Sequence, residues 1–327
     1  MKARAVRFTA PRQVSVDDVV LPEVEPGRIM VRTSFSGISS GTEMLAYRGE
    51  LDPSADLDES LSALSGNFGY PFSYGYSCVG VVEQGTTAIP AGSAVFTFHP
   101  HQDRLVVAES DVVLLSPGVS LREATLFPLV ETALQLTLDA GSVLGDTVVV
   151  TGLGPVGLLT SLLLGRAGAR VLAGEPRSWR RDVAASLGVE SVSPDALPSA
   201  VPSTGVPLLV ESSGVPAALA DGLSLLAHEG TALVASWYGT KPVPLPLGAE
   251  FHRRRLTIRS SQVSTIPAAA QGRWTRDRRR AAAADLLAEL PLAALATTEY
   301  RFDDAASAYA SIDRGDPGLI HVALRYE

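Results

Sequence analysis

Along the first third of the chain, apolar and polar residues alternate with a period of two. Ala3 to Phe8, Val14 to Val16 and Ile29 to Ser34 read as half-buried strands separated by Pro and Gly turns. Strand signals resume at Ser77 to Glu83, Ala94 to Phe98 and Leu105 to Ala108. Residues 49–69 are instead polar and acidic, with Asp52, Asp56, Asp58 and Glu59 around a short helical stretch at Leu57 to Leu64. This reads as a surface excursion that either covers a site or is plain loop.

The pattern then changes. Leu121 to Ala140 is apolar on most faces, and Pro128 near its middle predicts two helices rather than one. Beyond Gly145-Asp146, strands at 147–151, 170–174, 207–211, 231–235 and 256–260 alternate with helices at 155–167, 178–187 and 216–227. Such alternation predicts an α/β fold, a doubly wound parallel sheet with helices on both faces. From about Ala281 the character is mixed again, with helices at 281–289 and 303–312 and a last strand at Ile320 to Tyr326. No internal repeat, low-complexity tract or long linker is visible.

Composition narrows the class. A length of 327 residues allows about two domains with ample core. The formal charge of −8 and pI near 5.2 argue against a nucleic-acid partner. Two basic clusters, Arg253 to Arg255 and Arg276 with Arg278 to Arg280, read as solvated faces or local ion pairs. The lone cysteine, Cys78, excludes an internal disulfide and a multi-thiolate metal cage. It reads as a small buried side chain in a protein of the reducing cytoplasm. The first residues alternate like a strand and lack a signal-peptide core, and no apolar run is long enough to predict a membrane span.

The strongest motif is Val148-Val149-Val150-Thr151-Gly152-Leu153-Gly154-Pro155-Val156-Gly157, followed by a second apolar run that ends at Glu175. Strand, glycine turn, helix, strand and acid are what a dinucleotide pyrophosphate and its adenosine ribose require. Gly152 permits the tight turn, Gly154 lets backbone approach the pyrophosphate, and Gly157 lets the helix pack on the strand. The helix N-terminus then faces the phosphates.

The order of these parts resembles the medium-chain dehydrogenase/reductase superfamily, which includes zinc alcohol dehydrogenases and quinone oxidoreductases. The matching text comprises Gly37-Ile38-Ser39-Ser40-Gly41-Thr42-Glu43, Pro71 to Glu83 with Gly75-Tyr76-Ser77 inside it, the glycine motif, and Glu211-Ser212-Ser213-Gly214. The resemblance implies a Rossmann domain, 131–264, inserted into a β-rich GroES-like catalytic domain, 1–130 plus 265–327. It also implies a homodimer, formed through an edge strand near 256–264.

Departures from the family bear on chemistry. Zinc members have Cys-Gly-Thr-Asp where this chain has Ser40-Gly41-Thr42-Glu43, and Gly-His-Glu where it has Gly75-Tyr76-Ser77. The third ligand position falls at Glu131, and the four-cysteine lobe of structural zinc is missing. A hydroxyl, a phenol and one carboxylate make a poor zinc set, so no zinc is expected. The alternative metal set would be His99, His101 and Glu131. The Ser-Gly-Ile-Ser-Ser-Gly-Thr-Glu text with Gly-Tyr-Ser resembles the bacteriochlorophyllide a dehydrogenase-like group and its relatives in bacterial secondary metabolism.

Without zinc, hydrogen-bond donors must balance charge on the reacting oxygen. Tyr76 is either that donor or a packed aromatic. Thr42 matches a family hydroxyl that relays a proton toward the nicotinamide ribose, or else is a turn residue. Ser40 either bonds substrate or shapes its turn. Glu131 is either a general acid/base with its pKa raised by burial, or a structural residue, the partner of an arginine or a helix N-terminal carboxylate. His101 either extends a proton relay or is a satisfied core histidine. His228 and His252 read as structural, and His321 lies in the last strand.

Glu175 is expected to accept bonds from the ribose 2′-hydroxyl and to repel a 2′-phosphate, favouring NAD(H). Arg177 and Arg180 pull toward NADP(H). Ser212 and Trp237 complete the cofactor set, and Trp237 with Tyr238 either faces a bulky or planar substrate or packs in the core. The expected activity interconverts a secondary alcohol and a ketone on a fairly large small-molecule substrate. The alternatives are an NADPH-dependent reductase of an activated C=C bond, and a catalytically silent nucleotide-binding sensor or structural protein.

Overall fold

The computed structural model describes residues 2–58, 61 and 63–327. Strands β1 (Lys2–Ala10) and β2 (Gln13–Val20) form an antiparallel hairpin, turned at Arg12 in the left-handed region. Next come β3 (Arg28–Ile38) and α1 (Thr42–Arg48), which ends at a left-handed Gly49. Strands β4 (Cys78–Gln84), β5 (Ala94–Thr97), β6 (Arg104–Ala108) and β7 (Val112–Leu114) follow. Helices α2 (Leu121–Ala124) and α3 (Phe127–Ala140) are separate, as Pro128 predicts. The proline occupies the first turn of α3, where an N–H has no intrahelical partner to lose.

The middle of the chain runs β8 (Thr147–Thr151), α4 (Pro155–Arg166), β9 (Arg170–Gly174), α5 (Ser178–Ser186), β10 (Glu190–Val192), α6 (Leu197–Ala200), β11 (Val206–Glu211), α7 (Pro216–Gly222), β12 (Leu226–Val234) and β13 (Thr257–Ser260). It closes with α8 (Arg276–Glu289), β14 (Thr298–Arg301), α9 (Ala305–Arg314) and β15 (Val322–Arg325). The helix expected at 216–227 stops at Gly222: Leu223–Leu225 tighten into a 3-10 turn, and Leu226 already opens β12. Helix α8 begins ahead of the expected 281, where the Thr275 hydroxyl accepts the Arg278 N–H and caps the turn.

Two compact units result. The first runs to Pro128 and resumes at Ala284–Glu327, and the second is Leu129–Ala283. The second unit therefore extends past the expected end at 264. Gln135 of α3 holds the Thr265 carbonyl, and Arg279 of α8 holds Glu131 and Gln135, so residues 265–283 stay with α3.

In the first unit a seven-stranded sheet has the order β14-β15-β3-β4-β5-β7, with β6 also pairing β3. The returning β15 pairs antiparallel to β3, with Val322 opposite Ile38. The end of β3, the start of β4, the end of β5 and the start of β15 consequently share one end of the sheet. In the second unit six parallel strands have the order β10-β9-β8-β11-β12-β13. The order reverses at β8, where the crevice of a doubly wound sheet forms.

The excursion at 49–69 is anchored. Leu51, Leu57, Leu64 and Phe68 are buried in one core cluster with Phe8, Tyr47, Phe72, Tyr74 and Tyr309, and Tyr76 packs against it. The helix expected at 57–64 falls partly on Glu59, Ser60 and Ser62, outside the described residues. Leu57, Asp58, Leu61, Ala63 and Leu64 are not helical. Among the described residues no helix is long and apolar enough to cross a membrane.

Candidate active site

In the first unit, β3 delivers Ser39 to Thr42, the lead into β4 delivers Gly75 and Tyr76, and the segment after β5 delivers His99 to His101. Ser40 is exposed, and Thr42 and Tyr76 are partly buried. Burial pushes the Tyr76 phenol up to about 12, the Glu43 charge adds to this, and hydrogen bonds with Ser39 and Thr42 oppose it. The excursion contributes a smaller upward push through the charge of Asp58. Tyr76, Thr42 and Ser39 thus form one polar group.

Behind this group lies a network that sequence reasoning misses. Glu43, on the first turn of α1, is fully buried. Its carboxylate accepts the Ser39 N–H at 2.9 Å and the Tyr309 hydroxyl at 2.5 Å, and lies 2.8 Å from His101 Nε2. His101 Nδ1 is 2.7 Å from Ser36 Oγ, which is 2.8 Å from the Tyr326 hydroxyl. Both nitrogens of His101 are therefore engaged inside the core. His99 holds Pro100 O at 2.9 Å through Nδ1, and burial pulls its pKa down to about 4.

Glu131 and Arg279 form a buried ion pair in the second unit, with the guanidinium 3.0 Å from Glu131 Oε1. Arg279 also donates to Gln135 and to Val263 O, and Arg280 stands 3.7 Å from Glu131. Arg279 sits in an arginine run read as a solvated face or local ion pairs; it is 2% exposed and ion-paired. For zinc the donor set does not fit: Ser40 offers a hydroxyl, Tyr76 a phenol high in pKa, and Glu131 is already matched by a guanidinium. Among the described residues no three His, Cys, Asp or Glu side chains gather as a metal group.

The glycine turn fits a dinucleotide. A Cβ on Gly152 would fall 2.6 Å from Ser213 Cα, and one on Gly157 only 1.9 Å from Gly152 O. Gly154 differs: its φ is −70° and a Cβ would meet nothing within 4 Å. The fold does not require glycine there, whereas close approach of a pyrophosphate would. Pro155 and Val156 begin α4, whose N-terminus carries no side-chain cap. Ser212 donates to Thr151 O and Gly152 O and braces the turn.

Glu175 ends β9 with its carboxylate turned toward this turn, accepting the N–H groups of Leu153 at 2.9 Å and Arg177 at 3.0 Å. Arg180 lies over the Trp179 ring, with Nη1 3.8 Å from Glu175. The Arg177 side chain is exposed. Trp237, just past β12, is 49% exposed. Tyr238 packs against the apolar core of this unit and donates its hydroxyl to buried Glu211 at 2.6 Å, which also accepts from Ser213.

Comparison with known proteins gives a consistent picture. Residues 155–281 match the model of a zinc-binding dehydrogenase family. D-guloside 3-dehydrogenase of Escherichia coli is 27% identical over 83% of this chain and 84% of its own. The 2-desacetyl-2-hydroxyethyl bacteriochlorophyllide A dehydrogenase of Rhodobacter capsulatus is 28% identical over 74% and 76%. In fold, the chain superposes on an alcohol dehydrogenase of E. coli solved with NADH, at a TM-score of 0.77, 16% identity and 99% coverage of both chains.

Proposed function

We propose that this chain, a medium-chain dehydrogenase/reductase related to the zinc alcohol dehydrogenases, is a zinc-independent oxidoreductase that interconverts a secondary alcohol and a ketone with NAD(P)(H). The observation that carries this reading is the partly buried Tyr76 phenol, at a position where zinc relatives place a ligand, with the exposed Ser40 at another. Bound nicotinamide supplies or accepts the hydride. The protein must hold the substrate oxygen and offset the charge that develops on it. In this reading the phenol gives its own O–H to that atom. Thr42 in this reading passes the alcohol proton on, and Ser40, which is exposed, is available to substrate.

In the second unit Gly152 to Gly157 would hold the pyrophosphate, with Leu153, Pro155, Val156 and Ser212 shaping the turn. Glu175 supports NAD(H), because a 2′-phosphate beside its anchored carboxylate would be repelled. Arg180 lies over Trp179 and stands 3.8 Å from Glu175, and Arg177 is exposed; these are the two residues able to favour NADP(H). Exposed Trp237 suits a bulky or planar substrate. The relatives named for a glycoside and a chlorophyllide favour a large secondary alcohol. Copies are proposed to pair through β13, an edge of the parallel sheet, in the cytoplasm. A monomer by light scattering would remove the pairing.

Parallel fluorescence titrations with NADH and NADPH test the cofactor reading. Tighter NADH binding is expected, while tighter NADPH binding would hand the ribose to Arg177 or Arg180. Binding of neither would overturn the enzyme reading.

A further inference from the structure

Ser36, His101 and Glu43 place a hydroxyl, an imidazole and a carboxylate in line, at 2.7 and 2.8 Å. All three are fully buried, so no substrate reaches the hydroxyl, and nucleophilic catalysis does not explain them. Their placement does. Glu43 grips the Ser39 N–H on the strand side of the turn and shares α1 with Thr42, and Ser39 and Thr42 are the residues that draw the raised pKa of the Tyr76 phenol back down. His101 presses on the other side. A Cβ on Gly75, the residue before Tyr76, would fall 2.6 Å from the His101 ring. Tyr309 closes the arrangement, giving its hydroxyl to Glu43 while its ring lies edge-on to His101 at 6.3 Å.

We infer that Glu43 and His101 are positioning residues, a buried pair that sets the Tyr76 phenol from both sides so that its O–H meets the substrate oxygen. The inference rests on the reading of Tyr76 given above. Its physical basis is that a hydrogen-bond donor must be held to within a fraction of an ångström, by partners whose own geometry is locked. Glu43 holds His101 and Tyr309, 58 and 266 residues away, and so ties α1, the His101 segment and α9 together.

The test uses protein labelled with carbon-13 at tyrosine Cζ, with the Tyr76 resonance assigned by its loss in Tyr76→Phe. Glu43→Gln keeps the shape but turns one acceptor into a donor facing His101 and Tyr309. Tyr309→Phe keeps the ring and removes one bond. The Tyr76 resonance should move in both variants, more in Glu43→Gln. In Glu43→Gln, kcat should fall on the order of 10- to 100-fold with cofactor KM unchanged. A folded Glu43→Gln with an unmoved Tyr76 resonance and wild-type kcat overturns the inference. Should that variant fail to fold, Tyr309→Phe decides in the same way. A wild type that shows the predicted resonance shifts on mutation but turns over no alcohol or ketone refutes the proposed function and leaves the positioning standing.

Discussion

Glu43 and Glu131 are both buried carboxylates, and they are satisfied in opposite ways. Glu131 meets a guanidinium, so charge answers charge between α3 and α8. Glu43 meets a backbone N–H, a phenol and an imidazole. The consequence is visible around it. The hydroxyls of Tyr74, Tyr76, Tyr309 and Tyr326 are all pushed up, by burial first and with the Glu43 charge contributing to each. A carboxylate matched by an arginine holds helices together; one held by a backbone N–H, a phenol and an imidazole also acts on the phenols around it.

This contrast can be broken most easily at Arg279. Arg279→Met takes the close guanidinium from buried Glu131 and leaves Arg280, 3.7 Å away, as its counter-charge, and should cost up to about 3–5 kcal/mol in denaturant unfolding. Adding Glu131→Leu should restore most of that. A neutral single variant would mean the pair anchors nothing. Glu43→Gln disturbs bonds to a backbone N–H, a phenol and an imidazole rather than to a guanidinium, so its cost should be smaller, about 1–3 kcal/mol. An equal loss in the two would erase the distinction.

Histidines extend the comparison. Burial holds His99 down to about 4 and His321 well below its ordinary value, the latter also beside the Arg122 guanidinium. The unfolded chain takes up protons at these sites near pH 6.5 while the folded chain does not. Stability is therefore fully present above about pH 6.5 and drains away as pH falls toward the folded values. His321→Asn should flatten the thermal midpoint across that window; an unchanged slope would count against it. The smallest stability effect belongs to Gly154→Ala, expected within about 0.5 kcal/mol because nothing crowds the new methyl group. Its NADH affinity should nonetheless fall roughly tenfold or more. Retained affinity would show that no ligand approaches this position.

The parallel sheet was legible because its strands are continuous apolar runs and its turn needs glycine at Gly152 and Gly157. Strands β7, β10 and β14 were not: two have three residues, and Thr298–Arg301 is polar and at the edge of its sheet. Tyr76 and Thr42 could be singled out from their motifs. Glu43 could not, since an acid in the first turn of a helix ordinarily serves the helix dipole in solvent. Its burial depends on His101 and Tyr309, which lie 58 and 266 residues away. Arg279 is hidden for the same reason, its acceptor being 148 residues distant.

The central claim is that a phenol, not a metal, balances charge at the reacting oxygen. Steady-state ketone reduction should be measured for wild type before and after exhaustive chelation, and for Tyr76→Phe. The account predicts no loss on chelation and a loss of about 100- to 1000-fold in kcat for Tyr76→Phe. Activity that chelation abolishes and zinc restores, with Tyr76→Phe close to wild type, would contradict it.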